Sequence, residues 1–96
     1  MQLSSSQRKY LRAKAHHIKP QILIGKNEIN KGVLNSINEL LNSNELIKIK
    51  FHEGKITDER KSIIVNNLKC EIAGCIGRTI ILFRQNKDKD KQKIKF

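Results

Sequence analysis

A chain of 96 residues with 20 Lys and Arg against 9 Asp and Glu carries a formal charge of +11 and a sequence pI near 10.0. That length suits one small domain, with no second folded one expected, while the charge exceeds what solubility needs and points to a polyanionic partner, nucleic acid first. No apolar run approaches the ~20 residues that cross a bilayer, no secretory signal opens the chain, and a basic membrane-lying helix would need the Trp and aromatics this sequence lacks, so no membrane partner and a cytoplasmic location are expected.

Cys70 and Cys75 are the only cysteines, spaced C-x4-C. In a reducing compartment they read as two free thiols. With only His16, His17 and His52 to add, no structural zinc site is expected, and the sequence implies no metal and no cofactor.

Ser4, with Gln7 three residues on, has the form of a capping box and starts a helix that runs to about His16. Leu3, Tyr10, Leu11 and Ala15 gather on one side of its wheel, Arg8, Lys9 and Arg12 on the other. The first 27 residues hold six Lys or Arg and no Asp or Glu, a segregation of sign that suits phosphate contact better than a solvated face, where acids at i+4 are usual. His16 and His17 end the helix, and Pro20 prevents its continuation.

The run 21–24 is apolar and β-branched, a short strand that stops at Gly25. Gly25 and Lys26 then form a tight loop ahead of a helix capped by Asn30. A glycine loop in front of a helix start, with a lysine on it, can seat an anion such as a backbone phosphate. The helix carries Val33, Leu34, Ile37, Leu40 and Leu41 on one stripe, the strongest periodic signal in the chain.

From Glu45 the period changes to two: Ile47, Ile49 and Phe51 alternate with Lys48 and Lys50, a half-buried strand whose basic face serves solvent or ligand equally well. Thr57 or Asp58 caps a third helix running to about Lys69. Residues 71–76 and 79–84 then read as two strands joined by a tight turn at Gly77 and Arg78. The order is α-β-α-β-α-β-β, with parallel pairing expected at each helical crossover and an antiparallel pair at the hairpin, in one mixed four-stranded sheet. Residues 86–96 alternate Lys with Asp or Gln and have almost nothing to bury, so a disordered basic tail is expected beyond a domain of residues 1–85. Its five lysines and two aspartates supply +3 of the +11, leaving +8 to the domain.

Three stretches together resemble a known family: "SSSQRKYLRAKAHHIKPQILIGK" (4–26), "INKGVLNSINELLNSNELIKIK" (29–50) and "IGRTIILFRQ" (76–85). They look like the bacterial stand-alone CRM-domain proteins of the YhbY type, over roughly residues 2 to 85. The resemblance implies an α/β fold similar to the C-terminal domain of a bacterial translation initiation factor, with helices packed on one side of the sheet. It also implies RNA binding, association with large-subunit precursors of the bacterial ribosome, and no enzymatic activity. In that family the loop after the first strand is a GxxG motif likened to the phosphate clamp of KH domains. Here Gly25, Lys26 and Asn27 match and Glu28 departs, placing a carboxylate where a second glycine would admit phosphate.

The expected RNA contacts are therefore Arg8, Lys9 and Arg12 on the first helix, Gly25, Lys26 and Asn27 in the clamp and Lys31 at the helix start, with Lys19, Arg78 and Arg84 as secondary contacts. A monomer acting on structured ribosomal RNA, with no small-molecule substrate, is the expectation. A general binder of duplex DNA or non-ribosomal RNA is the competing reading, although no helix-turn-helix or zinc finger is present. A nuclease built on His16, His17 or His52 is disfavoured, since no paired carboxylates or nucleophile motif surround them.

Overall fold

The computed structural model describes residues 2–25 and 29–95. Helix α1 spans Ser5–Ala15 and begins where the sequence predicts, because Ser4 and Gln7 cap each other: the Gln7 N–H donates to Ser4 Oγ at 3.1 Å and the Ser4 N–H to Gln7 Oε1 at 2.9 Å. Strand β1 (Ile22–Ile24) precedes α2 (Lys31–Ser43), whose N-cap Asn30 accepts the Val33 N–H at 2.9 Å. Strand β2 (Leu46–Phe51) leads to α3 (Asp58–Leu68), capped by Thr57, which accepts the Arg60 N–H at 3.2 Å. Strands β3 (Glu71–Ile76) and β4 (Thr79–Phe83) form the hairpin, turned by Gly77 at φ +59. The predicted element order and the mixed four-stranded sheet are both observed.

The sheet runs β1-β2-β4-β3, with β1 parallel to β2 and the other pairs antiparallel. The crossover through α3 does leave β3 parallel to β2 in direction, but they are not neighbours as expected, because β4 hydrogen-bonds between them. Burial explains the insertion. Ile80, Ile81, Leu82 and Phe83 are all buried, which suits an interior strand, whereas β3 ends in exposed Cys75 and Ile76 and suits an edge.

The helices do not lie on one side of the sheet, and this corrects the expectation drawn from the resemblance. Ile80 and Leu82 of β4 join Ile47, Ile49, Ile37, Leu41 and Ile64 in one core, under α2 and α3. Ile81 and Phe83 join Leu11, Ala15, Leu46 and Ala73 in a second core, under α1 on the opposite face. A single layer of helices would leave Ile81 and Phe83 in water, at roughly 1.5–3 kcal/mol each.

Residues 86–95 also differ from the expected disordered tail. Ile94 is buried in the α1-side core, and residues 89–91 form a short 3-10 turn. The segment is held by Glu45, 6% exposed, whose carboxylate accepts the N–H groups of Asn86 and Lys93 at 2.7 Å and of Ile94 at 2.9 Å. Composition hid this because a single apolar residue and one distant carboxylate are enough to fix a segment whose average is polar.

Candidate nucleic-acid interface

Gly25 leaves β1 at the end of the sheet where β2 also ends and where the β3–β4 hairpin turns. The Ile24 carbonyl accepts the His52 N–H at 2.8 Å, and the His52 carbonyl accepts from Arg78 Nη1 at 2.9 Å. Phe51 N–H donates in turn to the Arg78 carbonyl at 2.8 Å. Ile24, His52 and Arg78 are thus stitched into one rim, with Gly25 next in the chain. Gly25 is exposed, without a positive φ, and a Cβ built there would meet no atom of the described residues within 4 Å. Its uncovered backbone suits the close approach of a ligand.

Lys31, exposed, opens α2 on the far side of the loop. The first N–H groups of the helix have no intrahelical acceptor, and Asn30 occupies only that of Val33, so the positive end of the macrodipole adds to the Lys31 charge. Lys26 and Asn27 of the expected clamp, and the departure at Glu28, lie outside the described residues.

Of the three expected α1 contacts, Lys9 is exposed and makes no side-chain hydrogen bond or ion pair with a described residue. Arg8 folds back, donating from Nη1 to the Leu3 carbonyl at 2.8 Å and from Nη2 to Ser5 Oγ at 3.2 Å. Arg12 reaches across to β3 and donates from Nη1 to the Ala73 carbonyl at 3.2 Å. Each guanidinium has five N–H donors, so both arginines retain capacity for phosphate while anchored by their stems. Among the described residues the one ion pair is Lys61 with Asp58 at 3.9 Å, on α3, and no acid neutralises the α1 cations.

The secondary contacts separate. Arg78 stands on the rim and also lines a cleft of about 640 Å³ with Lys55, Lys61 and Cys75. Lys19 is exposed at the entry of β1, the end opposite Gly25. Arg84 is a structural bracket, not a surface cation: Nη1 donates to Asn38 Oδ1 and the Leu68 carbonyl, each at 2.8 Å, and Nη2 to the Asn38 carbonyl at 3.1 Å and Asn42 Oδ1 at 2.8 Å. With four acceptors from α2 and the end of α3 it has little left to give, and it is withdrawn from the expected contacts.

Lys48 and Lys50, which the sequence left undecided, project on the α1 side of the sheet, since their neighbour Leu46 belongs to that core. Lys50 is exposed and pairs across the strands with Leu23 and Thr79. The alternation of lysine with isoleucine was the available signal for them.

Among the described residues no three His, Cys, Asp or Glu side chains are grouped to hold a metal ion. Burial pushes the Cys70 thiol up to about 11 and raises that of Cys75.

The sequence model of the CRS1 / YhbY (CRM) domain matches residues 3–84, from α1 through the end of β4. The chain belongs to this family. Among its relatives, the Bacillus subtilis (strain 168) protein named "Probable RNA-binding protein YqeI" is 31% identical over 88 residues, which cover 90% of this chain and 92% of that one. A Haemophilus influenzae protein named "RNA-binding protein" is 33% identical over 90 residues, covering 90% and 89%. A solution structure of a hypothetical protein from Staphylococcus aureus superposes with a TM-score of 0.72 at 30% identity, over 97% of this chain and 99% of that one. The CRM match thus contains the Gly25 rim, the α1 cations and all four strands, while the Ile94 segment lies beyond it.

Proposed function

We propose that this CRM-domain protein binds structured ribosomal RNA as a non-enzymatic factor in assembly of the large (50S) ribosomal subunit, in the cytoplasm. The observation that carries the reading is the Gly25 rim, uncovered backbone at a sheet end flanked by Lys31 and Arg78, in a domain whose α1 cations no described acid neutralises. The names of the Bacillus and Haemophilus relatives support RNA as the polyanion. Most of these contacts meet phosphate, which positions a ligand without reading its sequence, so affinity falls steeply with salt. With four Phe and Tyr residues and no Trp, stacking on aromatic rings contributes little.

Sedimentation of cell extract through a gradient tests the ribosomal part. The protein is expected to travel with large-subunit precursors at low salt and to leave them at high salt. Its presence only at the top of the gradient at low salt, or with mature ribosomes alone, contradicts the assignment. Incubation with RNA, with and without divalent metal, tests the absence of chemistry: the RNA is expected to stay intact.

A further inference from the structure

One face of the sheet is left half uncovered, and the register fixes which residues share the gap. Leu23 pairs with Lys50, Lys50 with Thr79, and Thr79 with Ile76, a single row across β1, β2, β4 and β3. Paired residues project to the same face, and Thr79 lies two residues before Ile81 of the α1-side core, so the row lies on the α1 side. Leu23 and Ile76, at its two ends, are 62% and 67% exposed and are the exposed large hydrophobic side chains among the described residues.

Helix α1 stops short of this row. Its buried Leu11 and Ala15 cover Leu46, Ala73, Ile81 and Phe83 at the other half of the face. The next row, Lys48–Ile81–Gly74, forms the boundary, with Arg12 lying over Gly74. The open strip is therefore bordered by Arg12 and Lys48, carries Lys50 at its middle and has an apolar side chain at each end. It spans three strand spacings, about 14 Å.

We propose that this row is the seat of unpaired nucleotides, whose bases lie against Leu23 and Ile76 while Lys48, Lys50 and Arg12 meet the backbone. The proposal rests on the RNA-binding reading above and specifies its ligand as single-stranded segments of a structured RNA. Three observations favour that occupant. The row carries lysine and no acid, so its partner is anionic. Its two ends run directly into the rim, Leu23 two residues before Gly25 and Ile76 two residues before Arg78, so a backbone held at the rim lays its bases across the row. And a duplex presents phosphates and stacked, hidden bases, which give Leu23 and Ile76 nothing apolar to cover, whereas unstacked bases do. A four-stranded sheet takes two or three bases on one face in other RNA-binding folds.

The test is fluorescence anisotropy with the full chain and two probes, a short labelled RNA strand of mixed sequence and the same strand annealed to its complement. Leu23→Ser with Ile76→Ser is expected to weaken single-strand binding about tenfold and duplex binding less than twofold, without changing the salt slope. Lys50→Ala is expected to reduce the single-strand salt slope by about 0.7. Because both apolar residues are already exposed, the double variant should unfold at the wild-type temperature, which separates loss of binding from loss of fold. Unchanged single-strand affinity, as a protein-docking row would give, overturns the proposal, and so does an equal loss on both probes. Failure of the wild type to bind either probe overturns the RNA reading itself, a result distinct from wild-type binding that the variant leaves intact.

Discussion

Arg12 occupies the space a side chain at position 74 would need: a Cβ built on Gly74 lies 2.6 Å from Arg12 Cδ and 3.0 Å from its Cγ. The strand is irregular at this point, with a register shift between Ile72 and Gly74, and Arg12 bonds the Ala73 carbonyl inside it. One arginine thereby docks α1 on the edge strand and keeps its charge at the surface.

Gly74→Val should accordingly destabilise the fold by roughly 1–3 kcal/mol, through displacement of Arg12. In an Arg12→Ala background the cost of Gly74→Ala should fall, giving a non-additive double-mutant cycle in chemical denaturation. Additive costs would mean that the two residues do not share the space.

Arg84→Ala removes a charged donor from four acceptors on α2 and α3 and is expected to cost about 3 kcal/mol in denaturant unfolding. Arg84→Lys should not restore it, since a point charge cannot replace a planar fork. RNA affinity of the folded Arg84→Lys variant should stay near wild type, in keeping with its withdrawal from the interface.

Glu45 makes the Ile94 segment sensitive to acid. Burial pushes its carboxyl up, but the N–H groups of Asn86, Ile94 and Lys93, with the Lys93 charge, outweigh this and hold the pKa below the ordinary 4.5. A carboxyl depressed in the folded state contributes stability that is fully present above its unfolded pKa and is lost as pH falls through the folded value. Amide exchange at Lys93 and Ile94 should therefore stay slow at neutral pH and accelerate as pH falls below 4.5, after correction for the intrinsic rate. Glu45→Gln should abolish that pH dependence and speed exchange at neutral pH.

The two thiols differ in access. Cys75 is exposed and Cys70 is buried, with its thiol raised to about 11. An alkylating reagent at neutral pH should modify one thiol per native chain, at Cys75, and both in denaturant, as read by mass spectrometry.

Local signals made the helix starts and the order of elements legible: Ser4 with Gln7, Asn30 and Thr57 act within one turn, and the switch from helical spacing around Ile37 to alternation around Ile49 needs no knowledge of the rest of the chain. What was illegible depended on distant partners. The insertion of β4 between β2 and β3, and the placement of α1 opposite α2 and α3, follow from Ile80 to Phe83 being buried on both faces, a fact about the assembled sheet. Arg84 reads in sequence like any basic residue after a strand, and only its acceptors on Asn38, Asn42 and Leu68 remove it from the site. Leu23 stands in an apolar run whose period does not say which face is covered, and its face is the part of the sheet α1 does not reach.

Phosphate contact by the cations around the Gly25 rim and on α1 is the proposed basis of RNA binding. It is tested most directly by titrating a structured fragment of large-subunit ribosomal RNA at several salt concentrations with wild type and with Lys9→Glu combined with Lys31→Glu. A steep linear fall of log affinity with log salt is expected for wild type, and for the variant a weaker affinity with a slope smaller by about 2. An unchanged affinity and slope at moderate salt would contradict it.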